Sequence, residues 1–132
     1  MHDINWLAVV AAAFAAFVLG GLWYSPILFA GAWQRETGLD DEKLKGRSPA
    51  LIFGAAFLLL LIAAAVFALF LGPNPGLGLA VGAGAAAGLC WVGASFGISY
   101  LFERRSLALF AINGGYHTGQ FVLYGLVLGL WH

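Results

Sequence analysis

Charge is what this sequence has least of. Asp, Glu, Lys and Arg together make up 9% of the 132 residues, against roughly 25% in an ordinary soluble domain. None of them falls inside a long apolar run. The formal net charge is zero, so nothing in the bulk electrostatics draws the chain to nucleic acid. Cysteine is nearly absent. Cys90 stands alone among apolar neighbours, which excludes a disulfide framework or a multi-cysteine metal site and makes it a small core residue. Histidine is scarce as well: His2 and His132 are terminal and only His117 lies mid-chain, too few ligands for a metal. No cofactor is expected. With no carboxylate in the apolar runs to orient His117, a Ser-His-acid catalytic arrangement cannot be assembled, and the chain is not expected to be an enzyme.

What fills the space is apolar. Hydrophobic residues account for 62% of the chain. A bilayer core of about 30 Å needs about 20 apolar residues of helix, and four stretches supply that length: residues 4–24, 50–71, 77–102 and 107–131. All twelve charged residues lie outside these stretches or at their ends. A soluble bundle would need a charged outer face on each helix. The expectation is therefore an all-α, single-domain, polytopic membrane protein, a bundle of four transmembrane helices with short loops and a lipid bilayer as its solvent.

The first stretch includes Ala11-Ala12-Ala13, which mimics a signal-peptide cleavage site. It lacks a basic leader and runs past a typical apolar core, so a retained helix is expected. It should break at Ser25-Pro26, because proline cannot donate a backbone hydrogen bond and disfavours helix at the residue before it. Trp23, Tyr24 and Trp33 suit an aromatic belt, with residues 27–33 in the interface. Residues 34–49 form the one polar connection, of mixed sign, with a short surface helix starting near Asp40. Ser48-Pro49 reads as a cap followed by proline at the first helical position. The second helix has no polar side chain and is assigned to lipid or to plain apolar packing. A rigid Pro/Gly turn at residues 72–76 then pairs helices two and three antiparallel.

Helix three is dense in small residues. Gly78/Gly82, Gly84/Gly88 and Gly93/Gly97 are spaced four apart, as are Ser95/Ser99, and such pairs let helix backbones approach in lipid. Because they fall on more than one side, helix three is expected to be the central one. A second copy of the chain or a partner in a membrane complex is expected against part of that surface. Arg104 and Arg105 suit the end of helix three electrostatically, and Ser106 caps helix four. The connections after helices one and three carry all six Lys and Arg residues. By the positive-inside rule they face the cytoplasm, and both termini lie outside it.

Helix four carries the chemistry. Asn113, His117, Gln120 and Tyr124 follow a spacing of i, i+4, i+7 and i+11, which sets all four along one helical side. Such a stripe must turn toward protein or water, because hydrocarbon offers hydrogen-bonding groups no partner. His117 lies roughly 16 Å into its helix at about 1.5 Å per residue, near the bilayer midplane, where an ionisable group marks a candidate site. Ser95 and Ser99 join it if helix three faces the stripe, and Trp23 with Tyr24 would close it from the cytoplasmic side. The bland alternative for all of them is an interhelical polar clasp, with Trp23 and Tyr24 as interface anchors.

As a set, Trp6-Leu7-Ala8, Gly21-Leu22-Trp23-Tyr24-Ser25-Pro26 with Phe29 and Trp33, residues 99–106 and Ile112-Asn113-Gly114-Gly115-Tyr116-His117 resemble the bacterial domain of unknown function 1761 family. The resemblance covers nearly the whole chain, with Ser99 where the family pattern has asparagine. It implies a small four-helix integral protein of the bacterial inner membrane, and it brings no activity, cofactor or catalytic residue. Two functions compete: binding or passage of a small neutral or weakly basic solute, and an accessory subunit of a membrane complex. An enzyme would need an acid or a metal from elsewhere.

Overall fold

The structure is a computed structural model that describes residues 4–44, 46 and 48–132. His2, Lys45 and Arg47 lie outside the described residues. Among the described residues all regular structure is helical. The Asn5 side chain accepts from the Ala8 N–H at 3.1 Å and starts α1, Trp6–Trp23, which stops just before Ser25-Pro26. Two short helices follow, α2 (Ala30–Thr37) and α3 (Asp41–Leu44). Gly38, in the left-handed region at φ 73°, ends α2. Ser48 caps α4, Pro49–Leu71, with Pro49 at its start. Gly72 to Gly76 then lead into α5 (Leu77–Ala86), a π-helical turn (Ala87–Gly93) and α6 (Ala94–Glu103), which form one continuous rod. Ser106 caps α7, Leu107–Leu130.

Three of these helices are long and apolar enough to cross a membrane: Trp6–Trp23, Pro49–Leu71 and Leu77–Glu103. Their outer faces carry large apolar side chains in the open, among them Leu7, Phe70 and Phe102, the last two more than four-fifths exposed. Surfaces of that kind belong in lipid, since soluble monomers rarely show so much contiguous apolar area. α7 is as long as the others, but its polar stripe makes it less apolar.

α7 is the centre of the bundle. It packs against α1, α2, α4, α5, the π turn and α6, whereas the helix-three rod packs only on α7 to any extent. The expectation that helix three would be central is therefore wrong, and so is that of Cys90 as a small core residue, since Cys90 is exposed. The glycines of helix three do not all face neighbours. A Cβ on Gly78 or Gly82 would meet nothing, Gly93 is buried against the Gly88 carbonyl of its own rod, and Gly97 lies under the Phe110 ring. Only Gly84 and Gly88 touch α7 backbone, answered from α7 by Gly125 and Gly129. A further small-residue face was hidden in α1, where Ala8, Ala12, Ala13 and Ala16 are fully buried. These alanines form the α1 side of the core, with Phe17 meeting Phe53 and Phe57 of α4 edge-on.

The two ends of the bundle are chemically distinct. The C-terminal end of α1 lies beside the start of α7, where Trp23 Nε1 donates to the Ile112 carbonyl at 2.8 Å. The polar connection after α1 and the Arg104-Arg105 turn therefore share one end. At the other end Ile4, Asn5, Pro73, Pro75, Leu128 and His132 line a common cleft.

Candidate functional site

The stripe on α7 is closed over by phenols from two neighbours. Tyr24, just past α1, donates its hydroxyl to Asn113 Oδ1 at 2.7 Å. The other half of the same amide, Nδ2, donates to the Tyr100 hydroxyl on α6 at 2.7 Å. Asn113 thus ties α1, α6 and α7 together with both ends of one side chain. Farther along, Tyr116 donates to the Ala16 carbonyl at 2.9 Å. Its ring touches Tyr24 on one side and His117 on the other, at centroid distances of 5.6 and 5.0 Å.

Below this clasp runs a second one. His117 Nδ1 lies 2.6 Å from Gln120 Oε1. Gln120 Nε2 donates to the Tyr124 hydroxyl at 2.9 Å, and Tyr124 donates to the Leu60 carbonyl of α4 at 2.8 Å. Gln120 and Tyr124 are buried in the core. Among the described residues every buried side-chain nitrogen or oxygen has a partner, as burial away from water demands.

His117 is the exception in position. Its ring lies nearly parallel to Phe96 of α6, centroids 5.1 Å apart and planes 12° apart, with the edge of Tyr116 against its other side. Nδ1 is committed to Gln120, while Nε2 makes no hydrogen bond and is not among the buried atoms.

The serines expected here do not arrive. Ser95 and Ser99 are exposed on the outer side of α6, and with Trp91, Val92 and Phe96 they line an open groove of about 430 Å³. Phe96, Tyr100 and Tyr116 take their place beside the stripe. The π turn explains the exchange. Measured from Gly88, an uninterrupted helix at about 100° per residue would bring Ser95 and Ser99 within about 20° of the α7-facing direction. It would swing Phe96 and Tyr100 some 80° to 120° away. Taking up one extra residue in the wide turn removes about 100°, and the two sets change places. No motif in the chain announces that turn. Tyr100 and Tyr116 could have been found as further polar groups on apolar helices, each needing a partner.

The seam therefore joins Trp23, Tyr24, Asn113, His117, Gln120 and Tyr124, and leaves Ser95 and Ser99 out. It can hold four helices, α1, α4, α6 and α7, in register, and at one nitrogen it can accept a hydrogen bond from outside. Among the described residues no group of three or more His, Cys, Asp and Glu side chains could hold a metal. No curated protein and no solved structure showed significant similarity to the chain. The family model described as "Protein of unknown function (DUF1761)" matches residues 7–129. That span takes in all but one terminal residue of α1 and of α7 and everything between them, and the chain belongs to the DUF1761 family.

Proposed function

We propose that the chain crosses the inner membrane of a bacterium four times, with α7 as the fourth crossing, and binds a small neutral or weakly basic solute at His117. The crossing count is supported by the length of α7 and by the inward turn of its polar groups, which neighbouring helices cover. The basic connections share one end of the bundle, and by the positive-inside rule that end is cytoplasmic and both termini lie outside. One observation carries the solute reading. His117 is held from one side by Gln120 and flanked by two aromatic rings, and its other nitrogen is left unengaged. The test is a thermal-stability screen of the purified protein in lipid with small amides, alcohols and amines. A solute that stabilises the wild type should lose its effect in a folded His117→Ala variant. If no solute stabilises the wild type, or every stabilising solute acts equally on the variant, the reading fails.

A second reading, an accessory subunit, draws on the clasp itself: Asn113, Gln120 and Tyr124 are satisfied within the chain. It also draws on the outer face of α6, where Ser95 and Ser99 stand without hydrogen-bond partners beside the exposed Trp91. On that reading Ser95→Leu disrupts association with a partner or a second copy, and His117→Ala does not.

A further inference from the structure

The hydrogen bonds below His117 have a direction, set by an atom that is not a side chain. A backbone carbonyl can only accept, so at 2.8 Å from the Leu60 oxygen the Tyr124 hydroxyl must be the donor. Having spent its proton there, Tyr124 can only accept from Gln120 at 2.9 Å, which requires the amide nitrogen to face it. The amide oxygen is thereby turned toward His117, and an oxygen at 2.6 Å from Nδ1 requires a proton on Nδ1. In the neutral ring Nε2 is then the lone-pair nitrogen. It is also the nitrogen that has no partner and lies outside the buried set.

We infer that the relay from the Leu60 carbonyl through Tyr124 and Gln120 fixes His117 as the Nδ1–H tautomer, so that Nε2 accepts a hydrogen bond from a solute bearing an N–H or O–H group. This rests on the solute reading above and narrows it, because a lone pair on Nε2 selects for solutes that donate. Phe96 and Tyr116 hold the ring by its face and edge, so Nε2 presents its lone pair in one fixed direction. Gln120 and Tyr124 are positioning residues: they reach the solute only through the imidazole.

Nitrogen NMR on the full-length protein in lipid nanodiscs reads this directly. A His2→Gln/His132→Gln background leaves His117 as the only imidazole, labelled with ¹⁵N. The expected spectrum at neutral pH has a protonated Nδ1 and an unprotonated Nε2, the reverse of the preference of imidazole side chains free in water. Tyr124→Phe removes the hydroxyl that orients Gln120, and the proton should redistribute toward Nε2. A merely structural Tyr124 would lower stability and leave the tautomer alone. The wild-type spectrum suffices if that variant does not fold. Acetamide and N,N-dimethylacetamide then serve as probes, since they share a carbonyl and only the first carries N–H. Acetamide should shift Nε2 and leave Nδ1 protonated, and dimethylacetamide should shift neither. A proton on Nε2 in the wild type, or an even mixture, overturns the relay and leaves the solute reading standing. A fixed Nδ1 proton with an Nε2 that responds to neither probe, or equally to both, overturns the donor requirement. Failure of the solute reading would show separately, in the stability screen.

Discussion

Two glycines two positions apart in α5 should answer the same substitution in opposite ways. A Cβ at Gly84 would sit 2.1 Å from the Phe121 carbonyl oxygen and 2.8 Å from its carbon, whereas one at Gly82 would meet nothing within 4 Å. Ordinary contact begins near 3.4 Å, so Gly84→Ala has to drive α5 and α7 apart by about 1.3 Å. The obstacle is backbone, which has no rotamer to yield. A gap of 0.5–1 Å already forfeits a quarter to a half of each dispersion contact, and forced overpacking typically costs about 1–3 kcal/mol. Alanine recovers up to about 1 kcal/mol of helix propensity at either position. Gly84→Ala should therefore be less stable than Gly82→Ala by about 1–3 kcal/mol, and Gly82→Ala itself should be neutral or stabilising by up to about 1 kcal/mol. Gly125→Ala, whose Cβ would lie 2.1 Å from the Ala80 oxygen, repeats the test from the other helix. The measurement is reversible unfolding in mixed micelles. Equal unfolding midpoints for the Gly82 and Gly84 variants would refute the claim that the helix-three rod docks on α7 through Gly84 and Gly88.

Three further outcomes follow from the same geometry. Deleting Cys90 removes the surplus residue of the π turn, so the rod should become a plain helix with Phe96 and Tyr100 still facing α7; its melting temperature should stay near wild type. Deleting Ile98 turns Tyr100 about 100° from Asn113 and should lower it sharply. Asn113→Leu removes two interhelical hydrogen bonds and should cost about 1–2 kcal/mol, against about 0.6 kcal/mol each for Tyr24→Phe and Tyr100→Phe. A double-mutant cycle that shows no coupling between Tyr24 and Asn113 would count against the clasp. For topology, single cysteines in a Cys90→Ala background offer a check. Lys43→Cys and Arg104→Cys should react with an impermeant maleimide only after the membrane is opened, and Trp131→Cys in intact cells. Labelling of Lys43→Cys and Arg104→Cys on opposite sides would contradict the shared basic end.

Helix positions were legible because their causes are local. Ser48-Pro49 and Ser106 act as caps where short-range chemistry puts them, and Ser25-Pro26 breaks α1 as proline must. The inward turn of Asn113, Gln120 and Tyr124 was legible because amides and phenols need partners. What could not be read was which neighbour would supply them. That depends on the rotation of helix three, and one residue of slack between Ala87 and Gly93 decides it. A straight helix would have faced Ser95 and Ser99 inward, and they were expected on that side. The same blind spot made helix three seem central: glycine spacing marks faces able to approach closely, and Gly78 and Gly82 show such a face left uncovered.

The last link below His117 is the peptide oxygen of Leu60, and this has a consequence for anyone mapping the protein by substitution. Swapping one side chain for another along α4 leaves every main-chain oxygen where it was. A scan of that helix would score position 60 as an ordinary greasy residue and miss its hold, three hydrogen bonds away, on an imidazole of the neighbouring helix. Only a change that alters the backbone itself, such as an ester in place of the amide that carries that oxygen, would expose the debt His117 owes to α4.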